Sequence, residues 1–554
     1  MLNTTPEDNN LQAQLDKFDH VVVLMLENRS FDNLLGYLYT PDDIPAGKKF
    51  DGLNFGGPYY NTIPMDVTDG HKGEKLCTSR ASSYFQPYPD PGEFYPHVNT
   101  QLFNDFNPVS NSGMADKDIV APYNVPPGGI VDPPPMTGFV TDYISVLRSL
   151  KKTGCLNAIF NFLRLNPKWF KLTDTYEDYK AIMECYEPDQ VPVMAGLAKG
   201  FAVFDHWHCD VPSQTYTNRA FWHSATSFGF VNNSPMKNWI ENPNSPTLFN
   251  LLHKKGINWN IYTDNIVSLT GVIHLQQLLP FHETNFKSFK DFKEDIASGK
   301  LPAYSFVEPR FFTPHNDQHP SGYDTIVPID GPGKVGSVLL GEKLIWEVYN
   351  AVKNSNGAEN GSGNTWKNTL LIITHDEHGG CFDHVPPKAA PTPDGNKPAG
   401  QDGFKFDRLG IRVPMIMVSA HIDPQTIVNT EHRHTSFLHT MSKKWKLSHL
   451  TDRDKLANDF TEVFNAEKIR DRSEWPDLPE PVITENFGGY DFSNTLIGDL
   501  EKNILRAVSQ WKTGSTAEAE KIHTIKEAMR YLYARQDELP GADLHELTYP
   551  WTLL

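Results

Sequence analysis

The sequence predicts an α/β protein with a mostly parallel central sheet, and three observations carry that expectation. Residues 18–28 form a β-branched apolar run that ends abruptly in a carboxylate, Glu27, and an amide, Asn28. A buried parallel strand delivers polar groups to its C-terminal edge in this way, where α/β enzymes keep their chemistry. The same pattern returns at residues 369–377, where an apolar run meets His375, Asp376 and Glu377. Between them, Leu344, Ile345, Val348 and Tyr349 share one face of a helix expected over about 341–353. Strands alternating with helices argue for a parallel sheet.

The remaining elements follow in chain order. Residues 41–135 are rich in Pro, Gly, Asn and Tyr, lack periodicity and read as a loop-rich insertion. Further strands are expected at 201–205, 304–310 and 413–419. The stretch 354–364, NSNGAENGSGN, reads as a flexible surface loop. Beyond Leu447 the chain turns charged and amphipathic. Ile504, Val508 and Trp511, then Ile525, Met529 and Leu532, have helical spacing. The expected organisation is a catalytic region over 1–446 and a helical region over 447–554.

Composition narrows the function. The 554 residues carry 68 Asp and Glu against 50 Lys and Arg, a formal charge of −18. Such a chain repels DNA and RNA and does not adhere to anionic lipid by charge alone. Its 39% apolar content supports a sizeable core, and 21% charge argues against disorder of the whole chain. Five scattered cysteines without C-x-x-C spacing read as reduced thiols or one or two bridges, not a disulfide scaffold or zinc knuckle. The polar, acidic N-terminus has no signal-peptide pattern, and no run of about 18 apolar residues occurs. The expected location is cytoplasmic or peripheral to a membrane.

Four clusters hold the candidate chemistry. Residues 27–33, ENRSFDN, make either a metal or phosphate corner or a helix start capped by Asn28 or Ser30. Residues 374–384 crowd Asp, Glu and His around a glycine pair directly after a strand. Adjacent buried carboxylates need a cation, which makes Asp376 and Glu377 metal candidates, whereas His375 and His384 read individually as structural. Residues 212–227 offer hydroxyls before a helix start with Arg219 close by. A helix N-terminus favours an alkoxide or a bound phosphate, although taken alone ordinary capping is the better explanation of the cluster. Residues 304–320 form a strand followed by a loop carrying Asp317 and His319.

Together, ENRSFDN, P-S-x-T-x-x-N-R with HSATS after it, NDQHPS, DEHGG-x-x-DHV and FDRLGIRVP resemble the phosphoesterase family of bacterial phospholipases C, acid phosphatases and plant non-specific phospholipases C. The resemblance covers roughly residues 18–440. It implies an alkaline-phosphatase-like α/β/α sandwich and a hydroxyl nucleophile on a metal. It makes Thr215 the nucleophile and places the metal on Glu27, Asn28, Thr215, Asp376 and Glu377. It also implies active-site histidines at His282, His319 and His434, with Asn28, Glu93 and Arg219 on the substrate. Two positions depart from the pattern. Thr217 stands where many relatives have Pro, and Glu93 follows Asp90-Pro91-Gly92 where relatives often carry His, with His97 four residues on. Either His97 or Glu93 takes that histidine's place, a carboxylate there being suited to a second cation or a cationic head group, and the leaving-group acid is expected to be His319 or His97.

The expected reaction is phospholipase C hydrolysis of a glycerophospholipid through a phosphothreonine, using one or more divalent ions among Zn, Ca, Mn and Mg. The alternatives are an acid phosphatase acting on phosphomonoesters and a catalytically silent lipid- or phosphate-binding protein. The expected partner is a phospholipid or other phosphoester, with peripheral membrane contact and no nucleic acid; the oligomeric state is left open. The aromatic stretch 84–95 either lines a lipid- or choline-facing mouth or packs the insertion.

Overall fold

Eight strands form one central sheet in the computed structural model, which describes residues 6–162, 174–241, 245–265, 267–312, 315–320, 337–359, 361–395, 399–483, 497 and 499–535. In chain order they are β1 (His20–Leu26), β2 (Ala202–Phe204), β3 (Trp259–Thr263), β4 (Phe286–Ser288), β5 (Tyr304–Glu308), β6 (Thr369–His375), β7 (Met415–Val418) and β8 (Thr426–Val428). Their order across the sheet is β8-β2-β7-β6-β1-β5-β3-β4. β1 lies in the middle, parallel to both β5 and β6, and its residues from Val21 to Leu26 are fully buried. Burial on both faces is why this strand reads as an unbroken apolar run.

The sheet is mostly parallel as expected, but β7 runs antiparallel to both its neighbours. Its start, not its end, therefore reaches the edge that carries Glu27 and Asp376. Arg412, just before β7, lands there instead of Ser419.

Helices cover both faces. The ones that position the site are α1 (Phe31–Leu35), α2 (Tyr95–Phe103), α3 (Thr215–Ser224), α4 (Val338–Lys353) and α5 (His434–Trp445). Tyr304 and Phe306 of β5 touch α3 and α5, through a Trp222 Nε1–H bond to Tyr304 Oη and ring contacts with His223 and Phe437. Side chains alternate along a strand, so Ser305 and Val307 face the other way. The register sets His375 of β6 on that second face. There His375 donates to Gln318 Oε1 and Gln318 donates to Val338 O at the start of α4.

The insertion has its own apolar cluster, in which Leu53, Ile63, Val98 and Leu102 pack with Phe139 and Tyr143. Tyr95 is buried against Phe404, so this ring packs the insertion. Further on, Phe460, Val463, Phe464 and Trp475 join the same core as the sheet. The two helices read from spacing are present, α6 (Asp499–Thr513) and α7 (Ile525–Tyr533). Ile504, Val508, Met529 and Leu532 share a second cluster with Tyr216 and Ala220 of α3. Among the described residues no helix is long and apolar enough to cross a membrane.

Candidate active site

The site grows from the paired ends of β1 and β6. Leu26 sits opposite His375, so the next residues, Glu27 and Asn28, meet Asp376 and Glu377. Asn28 takes a left-handed backbone, φ 58°, a conformation Asn tolerates better than most residues. Its N–H donates to Asp376 Oδ1, which also accepts from Glu377 N. The glycine pair after Glu377 is sterically required. A Cβ on Gly379 would stand 2.1 Å from Asn28 O, and one on Gly380 would stand 2.5 Å from Gly92 O. Three motif loops thus close on one another with no room for a side chain. Ser30, not Asn28, caps α1 by accepting from Asn33 N.

α3 brings the hydroxyl. Thr215 is its first residue, and Oγ1 donates to Asn28 Oδ1 at 3.3 Å. The loop before it is pinned by Asn218, whose amide bonds Val211 N, Val211 O and Ser213 O. Gln214 Nε2 donates to Glu93 Oε1 at 2.7 Å. Asn28 Nδ2 donates to Glu93 Oε2 and to His319 Nε2. One amide therefore links the hydroxyl, the carboxylate of the insertion and an imidazole from the loop after β5.

The electrostatics are lopsided. Glu27, Asp376 and Glu377 are fully buried, and Asp90 and Glu93 stand beside them. Arg219 is the buried cation of this set, with Nε 3.0 Å from Asp376 Oδ2 and Nη2 3.2 Å from Glu27 Oε1. Its side chain has no exposure and also holds the carbonyls of Met25 and Leu26, so it braces the carboxylates. Apart from the ion pair of Glu27 Oε1 with Arg219, both oxygens of Glu27, Oε1 of Glu377 and Oδ1 of Asp90 are buried without a hydrogen bond. Burial, reinforced by Asp376, pushes Glu27 and Glu377 well above the usual carboxylate range. Burial pushes Glu93 up as well, reinforced by Glu377, and Asp90, reinforced by Glu93. A folded protein rarely leaves such oxygens unpaired. Carboxylates plus an amide oxygen and a hydroxyl are the donor set of a divalent cation, so Glu27, Asn28, Asp376, Glu377 and Thr215 fit one.

The expected histidines divide. His319 joins the cluster: its Nδ1 donates to Pro320 O, leaving the Nε2 lone pair turned toward Asn28, and burial pulls it down to about 4. Burial thus favours its neutral form. His434 lies one layer back, donating from Nε2 to Asp376 O and accepting from Trp207. His97 has both ring nitrogens on carboxylates, Asp142 and Asp116, each at 2.7 Å. Burial opposes its charge, but the two carboxylates prevail and raise it well above the ordinary value. His97 therefore fastens the insertion and has no nitrogen to offer a leaving group. His282 bonds Leu279 O and neighbours Glu283 and Trp511, outside the cluster.

Residues to which the sequence reading gave no role complete the picture. Asp90 and Gln214 frame Glu93. Asp317 accepts from His315 Nδ1 and His319 N, while its carbonyl accepts from Glu27 N. Asp90 had a signal, three residues before Glu93 in the D-P-G stretch. The outer parts of three motifs turn out to be one girdle. Arg412 bridges Asp32 and Asp383, and His384 bridges Asp32 and Asp51.

The model of the Phosphoesterase family matches residues 18–448. The chain belongs to that family. The non-specific phospholipase C6 of Arabidopsis thaliana is 34% identical over 462 residues, 80% of this phosphoesterase and 71% of the relative. Phospholipase C B of Mycobacterium tuberculosis is 26% identical over 317 residues, 51% of this chain and 56% of that one. Among solved structures, a phosphonate monoester hydrolase of Agrobacterium radiobacter is similar at 12% identity and a TM-score of 0.27, covering 50% of this chain and 73% of the other. Membership makes this chain a phosphoric ester hydrolase.

Proposed function

We propose that this phosphoesterase is a metal-dependent phospholipase C in which Thr215 is the nucleophile. The observation that carries the reading is the placement of the Thr215 hydroxyl 3.3 Å from Asn28 Oδ1, at a helix N-terminus beside carboxylates that keep buried oxygens without a hydrogen bond. Glu27, Asn28, Asp376 and Glu377 would hold a divalent cation with Thr215. When bound, that ion supplies a Lewis acid that lowers the hydroxyl pKa and takes up charge on the phosphoryl oxygens.

The chain's own residues do the rest. Asn28 fixes the hydroxyl, and Asn218 holds the preceding loop so that Thr215 stays at the first position of α3. The Thr215 oxygen attacks phosphorus, the bond to the glycerol oxygen breaks, and the diacylglycerol leaves with a proton. Thr215 then carries the phosphorylated head group. Water displaces it at phosphorus, giving the free phosphorylated head group and restoring the hydroxyl. The N-terminus of α3 lies where the anionic phosphoryl group would sit and favours it. Relatives named phospholipases C support a glycerophospholipid as the substrate.

The test is turnover of a phospholipid panel and a phosphomonoester by the wild type and Thr215→Ala. The reading expects diacylglycerol release that Thr215→Ala lowers by several orders of magnitude. Turnover of the monoester alone would replace the phospholipase reading with a phosphatase. Activity of the variant within about tenfold of wild type, ~1.4 kcal/mol, would remove Thr215 from the role.

A further inference from the structure

We infer that Asp90, Glu93 and His319, with Glu377 at their shared edge, form a second divalent-cation position beside the one proposed above. The inference rests on that reading of the first position. One carboxylate oxygen of Asp90, one of Glu93 and a ring nitrogen of His319 all lie within 4.8 Å of one another. Ligands about 2.1 Å from a common ion stand up to ~4.2 Å apart. The 3.9 Å from His319 Nε2 to Glu93 Oε2 falls inside that span.

Independent features point to an ion there. A ligating histidine characteristically donates its other ring N–H to a backbone carbonyl, which fixes the tautomer. His319 does so, from Nδ1 to Pro320 O at 2.6 Å. Glu377 has no exposed side-chain surface, yet its Oε1 has no donor, and its carboxylate lies within hydrogen-bonding reach of Glu93. Neither carboxylate in its charged form can donate to the other. Asp90 Oδ1 is likewise enclosed without a donor. A cation between these groups satisfies every unpaired oxygen at once.

Charge leads to the same place. Glu27, Asp90, Glu93, Asp376 and Glu377, with Asp317 acting on Glu27, outnumber the guanidiniums of Arg219 and Arg29, the second of which acts on Asp90 through charge. One divalent ion leaves this pocket negative, which repels a phosphodiester anion. A second ion offsets the remaining negative charge and so favours an anionic substrate. Sharing Glu377 would put the second ion on the Glu93 side of Asn28, across from Thr215. An ion there could stabilise the departing oxygen without a resting acid, as paired ions do in in-line phosphoryl displacement. The mixed oxygen and imidazole ligands suit Mn²⁺ or Zn²⁺.

The experiment is the metal content of the folded protein after saturation with Mn²⁺ and desalting, read by elemental analysis and by the paramagnetic signal of a spin-coupled manganese pair. Two ions per chain with the coupled signal are expected. Glu93→Gln should drop to one ion and lose the coupling, whereas Asp376→Asn should deplete the first position. Asp90→Asn serves in place of Glu93→Gln if that variant does not fold. One ion in the wild type would overturn the inference and leave the first position standing; none would overturn both. Two ions retained in a folded Glu93→Gln or Asp90→Asn would also overturn it.

Discussion

Arg219 and Asp376 face each other with no exposed surface, Nε 3.0 Å from Oδ2, and the same guanidinium reaches Glu27. The pair joins α3, which carries Thr215, to the ends of both central strands. Removing one member of a buried ion pair strands the other, at a cost of roughly 3–5 kcal/mol. Arg219→Met should therefore lower stability by that order in urea titrations. A loss under about 1 kcal/mol, the scale of an exposed pair, would contradict the bracing role.

Asp376→Asn and Glu377→Gln keep shape and remove charge. Each should reduce bound divalent metal together with activity, because Glu27 Oε2 and Glu377 Oε1 are buried without a hydrogen-bond donor. Elemental analysis of the folded variants checks this. Unchanged metal in both would require the site to be redrawn.

His97 gives a sharper contrast. A leaving-group acid matters for diacylglycerol and hardly at all for nitrophenol, which departs unprotonated. With both nitrogens committed to Asp116 and Asp142, His97→Ala should instead lower thermal stability and reduce both substrates by the same factor. A loss confined to the natural lipid would restore the acid role.

The girdle around Arg412 predicts a pH dependence of stability. Burial opposes protonation of His384, but the charge and hydrogen bond of Asp32 outweigh it, with Asp51 adding, and raise its pKa from 6.5 to about 9. A raised histidine pKa stabilises the folded state fully below the unfolded value and loses that contribution as pH rises through the folded one. The stability gap between wild type and His384→Gln should be on the order of 3 kcal/mol near pH 6 and fade between pH ~6.5 and ~9.5. A gap that grows with pH would reverse the assignment.

Much of this was legible in the sequence for a plain physical reason. β1 and β6 are buried on both faces, so their apolar runs and polar ends stand out, and Glu27, Asn28, Asp376 and Glu377 follow directly. β4, only Phe286–Ser288, is too short to show a period, and β8 is no longer. The reversed direction of β7 leaves no mark in its composition. Nor does a motif show what its arginine braces, which for Arg219 is two carboxylates and the end of β1. His97 looked available because its partners, Asp116 and Asp142, lie far along the chain. Asp90 gained meaning only when the insertion folded back over Asn28.

The most direct test of the central claim is to mix enzyme with a short-chain phospholipid, quench in acid within a turnover, and map the modified peptide by tandem mass spectrometry. The account predicts one phosphorus-linked adduct, carrying the head group, on Thr215. It predicts no adduct in Thr215→Ala. An adduct on another residue, such as Thr217, or full turnover by Thr215→Ala without any adduct, would contradict it.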